Sequence, residues 1–345
     1  MRRPNDIVVA LCAASLAAGC ASPGGSVPSG QGGYLAAMPT SDMSGALTRA
    51  FESVKQIQVS VTYEIFLFPE DGAPTGRDLA LGDVTSRATS TDAFSETSRA
   101  TAVLVSNTPR SVLLLTAAHA VARADTVVEY FGADRELERE QERRIRSLSI
   151  KSRQTNWVTD LPGSRTFEVL AADEQEDVAL IGFRTTSSEG LGEARPMAAR
   201  AGDPGALSLG SFVYILGYPG GFPMVSQGVA SPVPDGRGSF VVDGNWNQGV
   251  SGGAVLAVSR DGRTLEWVGM ARASAAEREI RLVPPAGVVE SYDPALPYRG
   301  PVFLEETLRI QYGVTLSVPM TTIERFIERS ASTLRRLGFE VPMIS

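Results

Sequence analysis

Asp243-Gly244-Asn245-Trp246-Asn247-Gln248-Gly249-Val250-Ser251-Gly252-Gly253-Ala254 sets a serine between glycines, immediately ahead of the apolar run Ala254 to Val258. Flanking glycines let the backbone turn tightly, so that the amides of Gly249 and Ser251 can face one developing oxyanion. A serine hydroxyl is a weak nucleophile near neutral pH. It needs a base within hydrogen-bond reach, and that base needs a third group fixing its tautomer. Histidine is the side chain suited to that work, and the chain has one, His119, in Leu114-Leu115-Thr116-Ala117-Ala118-His119-Ala120. Between the two stretches, Glu176-Asp177-Val178-Ala179-Leu180-Ile181 puts an aspartate at the mouth of an apolar strand, where a histidine-orienting carboxylate would be held. His119, Asp177 and Ser251 are therefore the candidate catalytic residues, for acyl transfer through a nucleophilic serine.

The first residues read as a targeting segment. Arg2 and Arg3 precede the apolar stretch Ile7 to Ala18, which is too short to span a bilayer, and Ala17-Ala18-Gly19-Cys20 closes it with small residues and a cysteine. This resembles a bacterial lipoprotein signal, with alanine in place of the commoner leucine three positions before the cysteine. The resemblance implies removal of residues 1–19 and acylation of Cys20 on sulfur and nitrogen, enough for stable anchoring. Ala21 behind the cysteine points to the outer membrane, facing the periplasm of the bacterial cell envelope. An ordinary secretory signal cut near Ala18 or Ala21 is the alternative.

Cys12 and Cys20 are the only cysteines, so no disulfide is expected within the mature domain. About 325 mature residues are enough to be held by an apolar core instead. Losing Arg2, Arg3 and Asp6 with the signal moves the formal net charge from −7 to −8. An acidic surface argues against nucleic acid as a partner. His119 stands alone and both cysteines are committed, so neither a metal nor a cofactor is expected.

Residues 20–42 are rich in Gly, Pro and Ser and read as a flexible tether, with order beginning near Ser41. Ser44 to Val54 suits a short helix. Strand patterns follow over Gln56 to Phe68, Ala100 to Ser106, Ser111 to Leu115, Val127 to Phe131, Phe167 to Leu170 and Val178 to Phe183. The second half repeats the rhythm over Phe212 to Leu216, Val225 to Ala230, Ser239 to Val242, Ala254 to Val258, Trp267 to Ala273 and Thr315 to Val318. Residues 134–153, dense in Glu and Arg, read as a charged insertion, a helical excursion or a long hairpin, with a solvated loop as the plainer reading. Leu282 to Pro301 is Pro-rich and reads as loop. Thr321 to Leu337 closes the chain as a helix, with Thr321-x-x-Glu324 as a capping box and Ile323, Phe326, Ile327, Leu334 and Leu337 on one face. Many short strands separated by turn residues indicate an all-β barrel or sandwich.

The order His119, Asp177, Ser251, together with the string around the serine, resembles the trypsin-like peptidases and specifically their HtrA/Deg branch. The family pattern D-x-x-x-N-x-G-x-S-G-G-[AP] is met from Asp243 to Ala254. Ile215-Leu216-Gly217-Tyr218-Pro219 resembles its I-G-x-P, Gln227-Gly228-Val229-Ala230-Ser231 its G-x-V-S strand, and Leu316-Ser317-Val318-Pro319 its A-I-P. The similarity covers roughly residues 56 to 337 and is strongest from 210 to 275. It implies two Greek-key β-barrels of the chymotrypsin/trypsin-like fold, residues 43–195 and 196–319, with the active site in the cleft between them and a C-terminal α-helix and tail over 320–345.

The same resemblance implies a serine endopeptidase acting on envelope proteins or peptides. His119 would be the base, Asp177 its orienting carboxylate, and Gly249 and Ser251 the oxyanion donors. Asn245 and Trp246 would border a neutral pocket for small or medium apolar side chains, with no second histidine for glutamyl specificity and no acidic floor for Arg or Lys. Met270, Ala271 and Arg272 would lie on the strand that pairs with substrate backbone. Three departures stand out: Val250 where the family has Asn or Asp, Ala100-Thr101-Ala102 where it prefers G-[ST]-G, and no PDZ domain after Pro319. A homo-oligomer is compatible with the sequence. The competing reading is a catalytically silent, lipid-anchored binding or scaffolding protein on the same fold.

Overall fold

The computed structural model describes residues 33–131, 142–161, 165–185, 194–244, 247–284, 295, 300 and 302–341. The signal, Cys20, the tether up to residue 32 and residues 134–141 of the charged segment lie outside them. In the first half the elements are α1 (Ser44–Phe51), β1 (Val54–Leu67), α2 (Gly76–Leu81), β2 (Ser90–Asn107), β3 (Ser111–Thr116), α3 (Ala118–Val121), β4 (Thr126–Tyr130), β5 (Ile145–Val158), β6 (Arg165–Thr166), β7 (Glu168–Asp173) and β8 (Val178–Arg184). In β1 every second residue from Ile57 to Ile65 is buried, the period that puts one face of a strand into a core. β3 and most of β8 are buried on both faces, which explains their unbroken apolar runs.

These strands pair in the order β4-β5-β1-β2-β3-β8-β7, all antiparallel. The sheet bends into a half-barrel. Its ends are drawn together where β6 pairs with the last residues of β5 and the chain runs through Phe167 into β7, the Phe167 N–H donating to the Asn156 carbonyl at 3.2 Å.

The second half contains β9 (Arg200–Ala201), β10 (Ser211–Gly217), β11 (Met224–Pro232), β12 (Phe240–Val242), β13 (Ala254–Val258), β14 (Leu265–Val283), β15 (Phe303–Pro319) and α4 (Met320–Arg336). Strand order runs β13-β10-β11-β12-β15-β14, and β14 pairs back onto β13, so these strands close a barrel with β9 added at the edge of β14. In the second half the consecutive strands β10, β11 and β12 are followed by β13, which returns beside β10, the Greek-key arrangement; in the first half the chain returns beside β1 with β5, by way of β4. The expected all-β, two-barrel, chymotrypsin-like fold with a C-terminal helix is thus present, the first barrel being a half-barrel.

One apolar cluster joins the halves. It runs from Ile57, Leu104, Leu115 and Leu180 in the first sheet to Leu256, Trp267 and Met270 in the second, and takes in Ile323, Phe326, Ile327 and Leu334 of α4. A separate cluster of Val213, Ile215, Phe240, Val242, Val250 and Ala271 belongs to the second barrel.

The structure departs from the sequence expectations in several places. Residues 33–35, expected within the tether, are docked on the second barrel. The Leu35 N–H donates to the Val258 carbonyl at 2.9 Å, and Tyr34 is buried with its hydroxyl on Glu266 Oε2 at 2.9 Å. The second half of the charged segment is β5, which pairs with both β1 and β4 and buries Ile145 and Leu148 against Phe68 and Val84. Its arginines and Lys151 mask a strand that is wet on one side. The helix before β1 ends at Phe51, because Val54 already pairs with Val103.

The Thr321–Glu324 capping box does not form. β15 passes directly into α4, Pro319 takes the cap position, and the buried Thr321 hydroxyl has no hydrogen-bond partner among the described residues. A capping box occurs instead at α2, between Thr75 and Asp78. β14 and β15 also run further as a paired ribbon than expected, up to Val283 and from Phe303. Ala100-Thr101-Ala102, despite lacking the family's glycines, causes no break in β2, whose register with β1 is continuous from Val103 to Ser90.

Candidate active site

The loop before β13 is fixed by a set of backbone hydrogen bonds. The Gln248 carbonyl accepts from Gly220 N–H at 2.8 Å and the Val250 carbonyl from Gly253 N–H at 2.8 Å. In a trans peptide the carbonyl and the N–H point opposite ways, so these two bonds turn the N–H groups of Gly249 and Ser251 away from the loop's own framework. Among the described residues neither amide donates a hydrogen bond. Two free donors beside a serine hydroxyl are what an oxyanion site requires.

The intervening carbonyl, that of Gly249, accepts from Thr101 Oγ1 at 2.7 Å, and the Ser251 carbonyl accepts from Thr101 N–H at 2.8 Å. Gly252, with φ of 89°, lies so close that a Cβ there would overlap the Thr101 carbonyl and Thr116 Oγ1. Val250 belongs to the apolar cluster of the second barrel, which accounts for an apolar side chain at this position.

His119 stands on the single turn α3 just after β3. The turn's exit is held by Arg123, whose Nη1 donates to the His119 carbonyl at 2.5 Å and whose Nη2 donates to Ser98 Oγ at 2.6 Å. Asp177 ends the turn between β7 and β8 with φ of 57°, a left-handed conformation that aspartate tolerates better than most residues. Asp173 shapes that turn by accepting from the N–H groups of Gln175 and Glu176, while its other oxygen meets Arg329 of α4 at 2.9 Å.

The Asp177 carboxylate, only 5% exposed, accepts from the His119 backbone N–H at 2.9 Å and lies 3.0 and 2.9 Å from Nδ1 through its two oxygens. Arg272 Nε donates to Oδ2 at 3.2 Å. Burial pushes this carboxyl up, but the His119 hydrogen bonds and charge, aided by Arg272, outweigh it and hold it below the usual carboxylate range. An ionised Asp177 is acceptor only, so Nδ1 carries a proton, and in the neutral imidazole the lone pair is then on Nε2. Among the described residues neither Nε2 nor Ser251 Oγ has a hydrogen-bond partner. Such contacts often tighten only when substrate is bound.

The structure thus brings His119 and Asp177 into direct contact and ties Ser251 to Thr101, beside Thr116 and the His119 turn. At two of the expected substrate-contact positions the backbone is otherwise engaged. Met270 and Ala271 are fully buried, and their backbones are already engaged: Met270 pairs with Ala254 and Val318, while Ala271 exchanges hydrogen bonds with Gly252 and Gly253, both 2.8 Å. Arg272 is committed to Asp177. Asn245 and Trp246 lie outside the described residues. Thr101, Thr116 and Gly220 carry site geometry that sequence reading passed over. A buried threonine in an alternating strand gives no separate signal, although the family's preference for Ser or Thr at the middle of G-[ST]-G was a usable hint. Among the described residues no group of three or more His, Cys, Asp or Glu side chains is placed to hold a metal ion.

Residues 100–270 match the family model described as the trypsin-like peptidase domain. A comparison with curated proteins found no match. Among solved structures the chain is similar to an HtrA-type protease, AlgW, with a decapeptide, at 15% identity and a TM-score of 0.44 over 85% of this chain and 67% of that one. It is also similar to the same protease with a tripeptide, at 15% identity and a TM-score of 0.42 over 84% and 64%. The chain spans about two thirds of the length of those proteins. The matched span holds all of β3, α3, β8 and the loop ahead of β13, and with them His119, Asp177 and Ser251: the chain carries a trypsin-like peptidase domain, of the serine-type hydrolases.

Proposed function

We propose that this domain cleaves peptide bonds through an acyl-enzyme. The observation that supports the reading best is the buried Asp177 carboxylate on His119 Nδ1, at 2.9 and 3.0 Å, with Nε2 left free on the opposite side of the ring. Nε2 takes the Ser251 proton as Oγ attacks the peptide carbonyl. The oxyanion is held by the Gly249 and Ser251 N–H groups, and Asp177 stabilises the imidazolium. That imidazolium then protonates the leaving amine. Water enters, gives a proton to Nε2, and hydrolyses the ester, so that serine and imidazole are restored.

The substrate backbone adds along β14 beyond Ala271, where pairing with β13 has ended and the edge is open among the described residues. We further propose that the mature chain is anchored through Cys20 at the outer membrane, facing the periplasm, and acts on envelope proteins. The lipobox-like Ala17-Ala18-Gly19-Cys20 supports this part.

Labelling of the folded mature domain with a fluorophosphonate tests the reading. Wild type is expected to label on Ser251, whereas Ser251→Ala and His119→Ala give no label and no peptide cleavage. A folded wild-type domain that takes no label overturns it in favour of a silent binding protein, and a His119→Ala variant that retains full activity overturns the assignment of His119 as the base.

A further inference from the structure

The Asp177 carboxylate faces two cation-forming groups, His119 and Arg272. Arg272 reaches it from the other barrel. Its residue sits at a break in the β14–β15 register, between the pairs Ala271↔Ser317 and Ala273↔Leu316, and such a bulge re-aims the side chain it carries. The preceding residue, Ala271, is bonded to Gly252 and Gly253 of the Ser251 loop. One short stretch of β14 therefore touches both the nucleophile's loop and the carboxylate behind the base.

The other charged groups nearby are placed differently. Arg123 is spent on the His119 carbonyl and Ser98, and Asp173 on its own turn and Arg329. Arg99 of β2 lies against Gly221, and Glu176 is half-buried next to Asp177.

We propose, resting on the function argued above, that Arg272 is a positioning residue: by holding Asp177 Oδ2 it fixes the plane in which the carboxylate meets His119 Nδ1. Oδ1 is held by the His119 backbone N–H and Oδ2 by Arg272 Nε, so rotation about the Cβ–Cγ bond is blocked from both sides. The guanidinium also keeps a second opposite charge beside a carboxylate that burial would otherwise push toward its neutral form. Without Arg272, Oδ2 keeps only Nδ1 among the described residues, and the imidazole is aimed less sharply at Ser251.

Because His119 is the only histidine in the chain, a proton NMR spectrum holds a single imidazole Nδ1–H, and its low-field signal reports the Asp177 contact directly. The test compares wild type with Arg272→Met and Arg272→Lys at neutral pH, by this signal and by acylation with a fluorophosphonate and a peptide ester. In Arg272→Met the signal is expected to broaden or vanish and acylation to slow about tenfold, with KM within about twofold. Arg272→Lys should recover most of both. Retention of signal and rate in Arg272→Met overturns the inference. So does a slowed rate with an unchanged signal, since Arg272 would then act on substrate. If wild type takes no label, the functional reading fails and the NMR comparison alone decides the role of Arg272. Should Arg272→Met unfold, Arg272→Gln, read by the same signal, decides in its place.

Discussion

Thr101 Oγ1 donates to the Gly249 carbonyl at 2.7 Å and accepts from the Tyr218 N–H at 2.9 Å. One hydroxyl on β2, fully buried, therefore pins the peptide between the two candidate oxyanion donors and the turn that follows β10. The turn is fixed further by Tyr218 OH on Asp160 Oδ2 at 2.7 Å and by its ring against Phe51, centroids 5.7 Å apart. The Ser251 loop belongs to the second barrel, but its orientation is set by the first. The geometry of the candidate site and the docking of the two barrels are consequently one problem in this molecule.

Thr101→Val keeps the shape of the side chain and removes the bond. The Gly249 carbonyl and the Tyr218 N–H then each lose a partner, at a cost of about 1–3 kcal/mol in stability. The peptide that orients the Gly249 and Ser251 amides becomes free to turn. Acylation should fall by about ten- to a hundredfold, against the 10²–10³ typical when an oxyanion donor is lost outright. Thr101→Ser should restore it. Stopped-flow acylation and thermal melting of the three proteins check this, and an unchanged rate in Thr101→Val would remove Thr101 from the site.

Asp177→Asn tests the carboxylate itself. The amide NH2 can donate to Nδ1 and so hold the imidazole in the wrong tautomer, and in the worked serine-protease case such a change costs about 10⁴ in turnover. A pH effect on stability follows from the sign of the shift. The folded-state pKa of Asp177 lies below its unfolded value, so its stabilisation is complete above the ordinary carboxylate range and is lost as pH falls through the folded value. Exposed aspartates with lowered values, such as Asp78 and Asp261, lose theirs in the same direction in both proteins. The difference in melting temperature between wild type and Asp177→Asn should therefore shrink on acidification. A difference that stays constant from neutral pH down to about pH 2 would show that Asp177 gains nothing on folding.

His119, Asp177 and Ser251 stand out in the sequence as candidates because three residue types in a fixed order, with glycines at set offsets, leave few alternatives. The strands were legible where one face or both are apolar, as in Ser111 to Leu115 and Val178 to Phe183. β5 was not, because Arg146, Lys151 and Arg153 alternate with Ile145, Leu148 and Ile150 in a way that also suits a charged helix. The extended β14–β15 ribbon was missed for a related reason: Glu277 to Arg281 carries four charges in five residues, and its partner strand is remote in sequence. The Arg272–Asp177 bond was equally out of reach. It depends on a register break in β14, and no local pattern announces one.

Gly252 offers the sharpest test of packing at the site. Its φ of 89° already disfavours any other residue, and a Cβ would collide with the Thr101 carbonyl and Thr116 Oγ1, both on buried strands of the first barrel that cannot yield. Gly262 is the internal control. Its φ of 68° is similar in kind, but nothing lies within 4 Å of the place a Cβ would take. Gly262→Ala should therefore cost only the left-handed strain, about 1 kcal/mol. Gly252→Ala adds displacement of the β2 and β3 backbones and should cost about 3 kcal/mol or more, together with loss of fluorophosphonate labelling. Urea unfolding midpoints for the two variants measure the difference. Equal midpoints would mean that the loop can move away from β2, in which case the oxyanion amides are not held by the first barrel at all.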